Sequence, residues 1–157
     1  MSNTIKKITS FTVDHRYIVP GIYVSRIDGD VTTYDMRTRR PNCGDYMDNS
    51  TMHSFEHMFA TYVRNSDASD RVLYFGPMGC QTGFYLLMRD TTNEEALMLV
   101  ISVLKNIIAH NGEMFGCSEI ECGNYKNLSV EAAKEEAAKY LAALESSENN
   151  FKYGEKK

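Results

Sequence analysis

Two histidines four residues apart are the first residues in this sequence whose spacing could do chemistry. His53 and His57 lie in Ser50–Arg64, a stretch without Gly or Pro whose apolar residues recur every three or four positions and predict a helix. Those apolar residues are Met52, Phe55, Phe59, Tyr62 and Val63. Side chains four apart share one helical face, so both imidazoles can reach one ion, and Glu56 falls beside them. The pattern His-x-x-Glu-His therefore predicts half of a metal site with an acid–base group next to it.

Pairs of histidines also occur on amphipathic helices as structural residues, and that alternative has to be weighed. The chain contains only four His, and two of them stand in this arrangement around Glu56. The flanking Phe and Met residues predict a largely buried helix, where a polar group without a partner is costly. Both observations favour the metal site. Ser50 is the predicted N-cap of this helix.

A catalytic metal commonly takes three protein ligands, so the histidines need a third. Cys122 is followed by Gly123 in a long loop and has the freedom to turn a thiolate towards an ion, but Cys117 competes for that role on sequence grounds. Cys80 lies in a Gly-rich turn, residues 76–83, where close backbone amides and a nearby cation can activate a thiol as a base. The alternative for Cys80 is a small buried hydrophobic residue.

Composition excludes several classes of protein. The 157 residues favour one domain, and 43% hydrophobic and 24% charged residues are ordinary for a soluble globular protein. A net charge of −4 without a basic face gives no support for nucleic-acid binding. The segment Met1–Lys7 has no apolar core typical of a signal peptide, and no apolar run is long enough to span a membrane. We therefore expect a cytoplasmic protein with reduced cysteines.

The hydrophobic patterns predict strands arranged in hairpins and separated by helices. This order indicates an α+β fold, in which an antiparallel sheet is covered by helices in a single two-layer domain, residues 1–157. Asp28-Gly29-Asp30 is a strong hairpin signal, and the tail after Ser146 is polar and is expected to fray. The predicted strands are 18–27, 31–37, 71–75 and 83–89, and the predicted helices are 50–64, 92 or 93 to about 110, and 130–144.

Taken in order, the motifs of this chain resemble those of the S-ribosylhomocysteine lyase family, metalloenzymes that make the precursor of the quorum-sensing signal autoinducer-2. The resemblance covers nearly the whole chain, and the shared order of the motifs makes it specific. The motifs are Ser10-Phe-Thr-Val-Asp-His15, Tyr34-Asp-Met-Arg37, Pro41-Asn42, His53-Ser-Phe-Glu-His57, Pro77-Met-Gly-Cys-Gln-Thr-Gly-Phe-Tyr85 and Cys122-Gly-Asn-Tyr125.

The resemblance assigns roles to residues by their place in these motifs. It implies that the metal ligands are His53, His57 and Cys122, that the catalytic residues are Cys80 and Glu56, and that the substrate-binding residues are Ser10, His15 and Arg37. Cys43 and Cys117 match nothing catalytic. Many members carry an Asp that contacts the ribose three residues before the proline of Pro-Met-Gly-Cys. This chain has Tyr74 there, so that contact is not carried over.

The resemblance also implies an activity and an assembly. The family cleaves S-ribosylhomocysteine to homocysteine and 4,5-dihydroxy-2,3-pentanedione by carbonyl migration and β-elimination, with Fe(II) as the physiological metal and zinc or cobalt able to replace it. It implies a homodimer with sites at the interface. We further hypothesise that Arg37 serves the metal site of the opposite chain, so that Cys80→Ser and Arg37→Ala variants complement each other. The rival functions are a His-x-x-Glu-His metallopeptidase, which takes an acidic third ligand, and a non-enzymatic metal-stabilised binding module.

Overall fold

A four-stranded antiparallel sheet organises residues 4–154, the part of the chain that the computed structural model describes. The strand order is β1-β2-β4-β3, and three α-helices lie in the same described part. The elements are β1 (Gly21–Asp28), β2 (Val31–Arg37), α1 (Asn49–Arg64), β3 (Val72–Pro77), β4 (Gly83–Arg89), α2 (Asn93–Ile108) and α3 (Val130–Glu145). The predicted α+β class and antiparallel sheet are confirmed.

The first hairpin forms as predicted. β1 ends at Asp28 and pairs with Val31, the first residue of β2, while Gly29 turns the chain with φ +61°. A φ of this sign favours glycine because it has no Cβ. The predicted start of β1 at Ile18 is wrong, since the strand begins at Gly21. Ile18 instead follows a short 3-10 turn, and Pro20 has no N–H to give to a ladder.

The capping residue of α1 differs from the prediction. Asp48 accepts a hydrogen bond from the backbone N–H of Thr51 and is the N-cap, so the helix begins at Asn49. Ser50 therefore lies inside the first turn, where its hydroxyl donates to the backbone carbonyl of Asn127. The prediction of Ser50 as the cap is wrong because Asp48, two residues earlier, takes that role.

The core lies between one face of the sheet and the helices. Alternate residues of β2 point to opposite faces, so Tyr34 and Met36 enter this core while Asp35 and Arg37 point the other way. Four core phenylalanines contact one another, and α1 supplies two of them. They are Phe55, Phe59, Phe75 and Phe84. The aromatic packing fixes α1 against the sheet and thereby sets the height of its outward-facing residues.

The segment after α3 is ordered, although fraying is expected of it. Phe151 is 8% exposed, and its carbonyl accepts a hydrogen bond of 2.9 Å from the N–H of Val24 in β1. The ring of Tyr153 stacks on that of Tyr23. The prediction fails because two aromatic residues in a mostly polar stretch bury enough apolar surface to hold the backbone against the sheet.

Within residues 4–154, no helix combines the length and the apolar character needed to cross a membrane. These residues form one domain, with the sheet as one layer and the helices as the other. The predicted domain bounds, 1–157, include residues 1–3 and 155–157, which lie outside the described part.

Candidate metal centre and thiol site

α1 presents the two histidines of the motif side by side on the face that turns away from the phenylalanine core. The ring centroids of His53 and His57 are 4.6 Å apart, and both rings are half-buried. Glu56 is also half-buried, and it lines a surface recess with His57 and Phe115. The helical spacing therefore brings the imidazoles and the carboxylate to one face, as the sequence predicts.

Cys122 completes a cluster with the histidines. Its Sγ lies 3.4 Å from His53 Nε2 and 3.7 Å from His57 Nε2, and the three ligand atoms lie within 4.8 Å of one another. Ligands at the usual metal–N and metal–S lengths are separated by about 3.5 Å in a tetrahedral site. Cys117 lies outside this cluster and is exposed, with its Sγ 3.6 Å from the carbonyl of Tyr125. The geometry thus separates the two loop cysteines that the spacing left in competition.

Hydrogen bonds on the far side of each ring leave the Nε2 atoms free. His53 Nδ1 is bonded to the side-chain oxygen of Asn127, and His57 Nδ1 lies 2.9 Å from the carbonyl oxygen of Phe115. Both acceptors lack a proton, so each Nδ1 must carry the hydrogen. The Nε2 lone pairs then face Cys122. Metal-binding histidines adopt this same tautomer, with the proton on the nitrogen that does not bind the metal. The donor set therefore fits a divalent ion such as iron, zinc or cobalt.

The loop that supplies Cys122 and both acceptors is bound closely to α1. Asn127 donates from its amide to Asn49, and its backbone carbonyl accepts from Ser50. Gly116 has φ +63°, and a Cβ there would lie 3.2 Å from His57 Nδ1. The backbone can approach the histidine this closely because the residue is glycine.

His110 anchors the start of the same loop, and sequence reasoning did not find it. Its Nδ1 lies 2.7 Å from the hydroxyl of Tyr62, and its Nε2 lies 2.9 Å from the carbonyl of Glu113. Lys134 in α3 donates to the His110 carbonyl at 2.9 Å. These contacts fix the chain two residues before Phe115. The one available signal was a third histidine at a predicted helix end, which does not reveal its partners.

Cys80 lies in the turn between β3 and β4 and is exposed. The alternative of a small buried hydrophobic residue is therefore wrong. Its Sγ lies 3.0 Å from Thr82 Oγ1 and 3.9 Å from Arg37 Nη1. The turn is bound to the residue before the cap of α1, because Met47 donates to the carbonyl of Gln81 and accepts from the Gln81 amide. The thiol consequently lies at the N-terminal end of the helix that carries the histidines.

Arg37 is part of a buried ion pair on the face of the sheet opposite the helices. Its guanidinium donates to both carboxylate oxygens of Asp35, at 3.1 and 2.6 Å, and the two residues are only 3% and 1% exposed. Burial alone lowers the pKa of Arg37, but the charge and hydrogen bonds of Asp35 outweigh burial and raise that pKa. Asp35 was not singled out from the sequence. The period of two along a strand, applied to Tyr34-Asp-Met-Arg37, would have indicated the pair.

Cys80 and Arg37 of one chain are therefore neighbours, which corrects the complementation hypothesis. Any site that contains Arg37 of one chain also contains Cys80 of that chain. In a mixed dimer of Cys80→Ser and Arg37→Ala, every site therefore carries one defect, and the two variants should not complement each other. Among the described residues, no hydrogen bond joins this thiol cluster to His53, His57 or Cys122. Cys80 and Arg37 therefore form a thiol cluster that is separate from the metal cluster of His53, His57 and Cys122.

Comparison with known proteins identifies the family. The model of the S-ribosylhomocysteinase (LuxS) family matches residues 8–151. The chain belongs to this family. It is 42% identical over 156 residues to the S-ribosylhomocysteine lyase of Borreliella burgdorferi (strain ZS7), covering 95% of this chain and 99% of the relative. It is 41% identical over 157 residues to the enzyme of the same name from Clostridium beijerinckii, with the same coverage. The relatives are carbon–sulfur lyases by name, and the predicted family is confirmed.

Besides Arg37, the S-ribosylhomocysteinase family pattern assigns Ser10 and His15 to substrate binding. These two residues lie in different places. Ser10 lines a cavity of about 370 Å³ with Tyr74 and Tyr85 on the face of the sheet opposite the helices. Tyr74 is 54% exposed there, and its ring lies over Gly76. His15 Nδ1 bonds to the carbonyl of Val13 at 2.9 Å. The structure therefore brings Ser10 to the position of the missing acidic residue, Tyr74, whereas none of the described hydrogen bonds brings His15 to either cluster.

Proposed function

We propose that this chain cleaves S-ribosylhomocysteine to homocysteine and 4,5-dihydroxy-2,3-pentanedione, the precursor of autoinducer-2. The observation that carries the proposal is the convergence of His53, His57 and Cys122 with both Nε2 atoms directed at the thiol, in a member of the S-ribosylhomocysteinase family. A peptidase with the same histidine motif would use an acidic third ligand, and here the third group is a cysteine.

These three residues would hold one divalent ion per chain, with Fe(II) as the physiological metal and zinc or cobalt able to replace it. Such an ion supplies Lewis acidity towards the sugar carbonyl and its neighbouring hydroxyl. The protein's own contribution is to fix the donor set. Asn127 and Phe115 hold the rings, and Cys122 is held by the loop that they belong to.

Glu56 and Cys80 would move the protons. The reaction consumes no water and involves no net oxidation, because two successive proton shifts move the carbonyl from C1 to C2 and then to C3. The thioether sulfur is then β to a carbonyl, and loss of one more proton expels it as the homocysteine thiolate. Each shift needs a base that returns its proton to a neighbouring atom. Arg37 places the guanidinium nitrogen Nη1 3.9 Å from the Cys80 sulfur.

The substrate would be oriented by Ser10 and His15, with Arg37 in an indirect role. Arg37 is 3% exposed and already holds Asp35 with two hydrogen bonds, so we assign its effect to Cys80 rather than to a substrate carboxylate. Ser10 shares its cavity with Tyr74, whose hydroxyl is available for a ribose oxygen in place of the family's acid.

We also propose a cytoplasmic homodimer with its two sites at the interface, each completed by residues from both chains. The N-terminal segment supports a dimer because large apolar side chains on both sides of Ser10 are exposed. Ile5, Ile8 and Phe11 are 95%, 58% and 68% exposed. Several exposed large apolar side chains within one short segment are typical of a surface that another protein covers.

Anaerobic release of homocysteine tests the proposed function. The chain is purified without oxygen, supplied with Fe(II), and mixed with S-ribosylhomocysteine, and the new thiol is measured with a chromogenic disulfide. We expect catalytic release of one thiol per substrate and its loss after chelation. A metal-loaded chain that binds one ion and releases no thiol would support the binding module instead, and cleavage of a peptide would support the peptidase.

A further inference from the structure

A continuous line of contacts runs from the C-terminal segment to the reactive thiol. The hydroxyl of Tyr153 donates to Asp35 at 2.8 Å, on the same carboxylate oxygen that receives Arg37 Nη2. The guanidinium then reaches Thr82 Oγ1 at 2.8 Å and Cys80 Sγ at 3.9 Å through Nη1. Tyr153 lies 118 residues along the chain from Asp35 and has no place in the motifs that identify the family.

Because the ion pair is buried, the hydrogen bond from Tyr153 to Asp35 has a strong effect on the carboxylate. Asp35 and Arg37 are 1% and 3% exposed, so water solvates the carboxylate only weakly. Burial first, and then the charge of Asp35, raise the pKa of Tyr153 far above its ordinary range, which keeps the phenol protonated as a donor. A hydroxyl that takes up part of the Asp35 charge leaves more of the Arg37 charge uncompensated at Cys80.

Tyr153 is held in place by contacts that do not involve the ion pair. Its ring stacks on Tyr23 with centroids 4.9 Å apart and an interplanar angle of 18°. Two residues earlier, Phe151 is buried and its carbonyl accepts from Val24 of β1. Strand contacts thus position the phenol, and removal of its hydroxyl alone leaves the stacked ring in place.

We propose that Tyr153 is a positioning residue for Cys80, acting through Asp35 and Arg37. The C-terminal segment is then part of the thiol site, because its hydroxyl sets how much of the guanidinium charge acts on the sulfur. The inference deepens the proposed function and rests on the role assigned there to Cys80. The other groups that face this cluster are Thr82 and two tyrosines that pair with Asp35 on the neighbouring strands, Tyr23 on β1 and Tyr85 on β4.

A matched pair of variants tests the proposal. Tyr153→Phe removes the hydroxyl that contacts Asp35, whereas Tyr23→Phe removes a hydroxyl from the other ring of the same stack, one that donates to the carbonyl of Val19. The rate of Cys80 alkylation by iodoacetamide is measured at neutral pH in the folded protein. Trypsin releases residues 72–89, a peptide in which Cys80 is the one cysteine.

We expect Tyr153→Phe to slow Cys80 alkylation by roughly threefold, and Tyr23→Phe to keep the parent rate. In an Arg37→Gln background, Tyr153→Phe should have no further effect, since the charge that it modulates is gone. The alkylation readout requires no turnover, so a chain without lyase activity would overturn the proposed function and leave this result intact.

Three results would overturn the proposal. Tyr153→Phe reacts at the parent rate, or Tyr23→Phe slows the reaction equally, or Tyr153→Phe slows it as much without Arg37 as with it. The last two would mean that the stacked rings act by packing alone. Circular dichroism checks that each variant is folded. Phenylalanine keeps the stacked ring at both positions, so both variants are expected to fold.

Discussion

Two groups of side chains each surround a cysteine sulfur, but they are held in place by different contacts. The metal cluster consists of His53, His57 and Cys122, and the thiol cluster of Cys80, Arg37 and Asp35. In the metal cluster, His53 and His57 are oriented by neutral acceptors, a side-chain amide and a backbone carbonyl. In the thiol cluster, Cys80 faces a guanidinium that is held by a buried carboxylate. The first arrangement leaves lone pairs free for an ion, and the second leaves a positive charge beside a thiol.

The two clusters also differ in how far apart their residues lie along the chain. A local pattern of five residues, His53–His57, sets two of the three groups in the metal cluster. The thiol cluster instead joins residues 43 apart, Arg37 and Cys80, and its carboxylate is bound by a residue 118 positions away. We therefore expect changes in the metal cluster to alter ion binding, and changes in the thiol cluster to alter turnover at constant metal content.

The largest effect is expected from loss of the third ligand. Cys122→Ala should abolish both stoichiometric metal content and thiol release, because two imidazoles alone hold a divalent ion weakly. Cys117→Ala is the matched control, since it removes a thiol from the same loop but outside the cluster, and it should retain one ion. Elemental analysis after anaerobic purification measures both. A full equivalent of metal in Cys122→Ala would contradict the assignment.

Glu56→Gln and Cys80→Ser should separate metal binding from catalysis. Each should keep the ion and lower kcat by about 10²–10⁴, the usual cost of removing a positioned proton-transfer group. A serine hydroxyl is too weak an acid to supply a base near neutrality. Thiol release and metal content are measured on the same samples. Turnover at the parent rate in either variant would exclude the role given to that residue.

Asn127 tests whether the neutral acceptor matters to the ion. Asn127→Leu removes the partner of His53 Nδ1 and should weaken metal affinity by about 10–100-fold, as loss of an outer partner of a metal ligand commonly does. Asn49→Ala removes the hydrogen bond between Asn49 and the Asn127 amide while leaving the histidine contact. Competition with a chelator measures both affinities. An equal loss in the two variants would point to general loosening of the loop.

Mixing of inactive chains tests whether the two clusters of one site come from different chains. Cys80→Ser and Cys122→Ala are unfolded and refolded together, and random pairing makes half of the dimers mixed. If each site joins one chain's metal to the other's thiol, each mixed dimer has one intact site, and about a quarter of the parent activity returns. If one chain supplies both clusters, the mixture stays inactive. The pair Cys80→Ser and Arg37→Ala should stay inactive in either case, because those residues are neighbours.

The smallest effect is expected at His110, which supports the metal loop from a distance. His110→Phe keeps a ring against Phe115 and removes the bonds to Tyr62 and Glu113. Loss of these two partly buried hydrogen bonds should lower the free energy of unfolding of the metal-free protein by about 1 kcal/mol. Tyr62→Phe removes one of those bonds and should cost less. Urea denaturation measures both, and equal stability of His110→Phe and the parent would contradict this account.

The sequence by itself determined the elements and the local half of the site. The bounds of β2 and β4 agree with the prediction, and α1 is misplaced by one residue at its start. The histidine pair follows from helical periodicity, which depends on neighbours three and four residues away. The N-cap of α1 was misassigned from Asp48 to Ser50, because local spacing does not rank two capping residues.

The tertiary structure decided the contacts between segments that lie far apart in the chain. It selected Cys122 over Cys117, because the loop is pinned to α1 through Asn127, and no periodic pattern records that docking. It placed Arg37 against Cys80 and Tyr153 against Asp35 through the pairing of strands and the packing of the C-terminal segment. Such contacts arise when separate segments bury apolar surface together, so the residues that they join carry no mark of one another in the sequence.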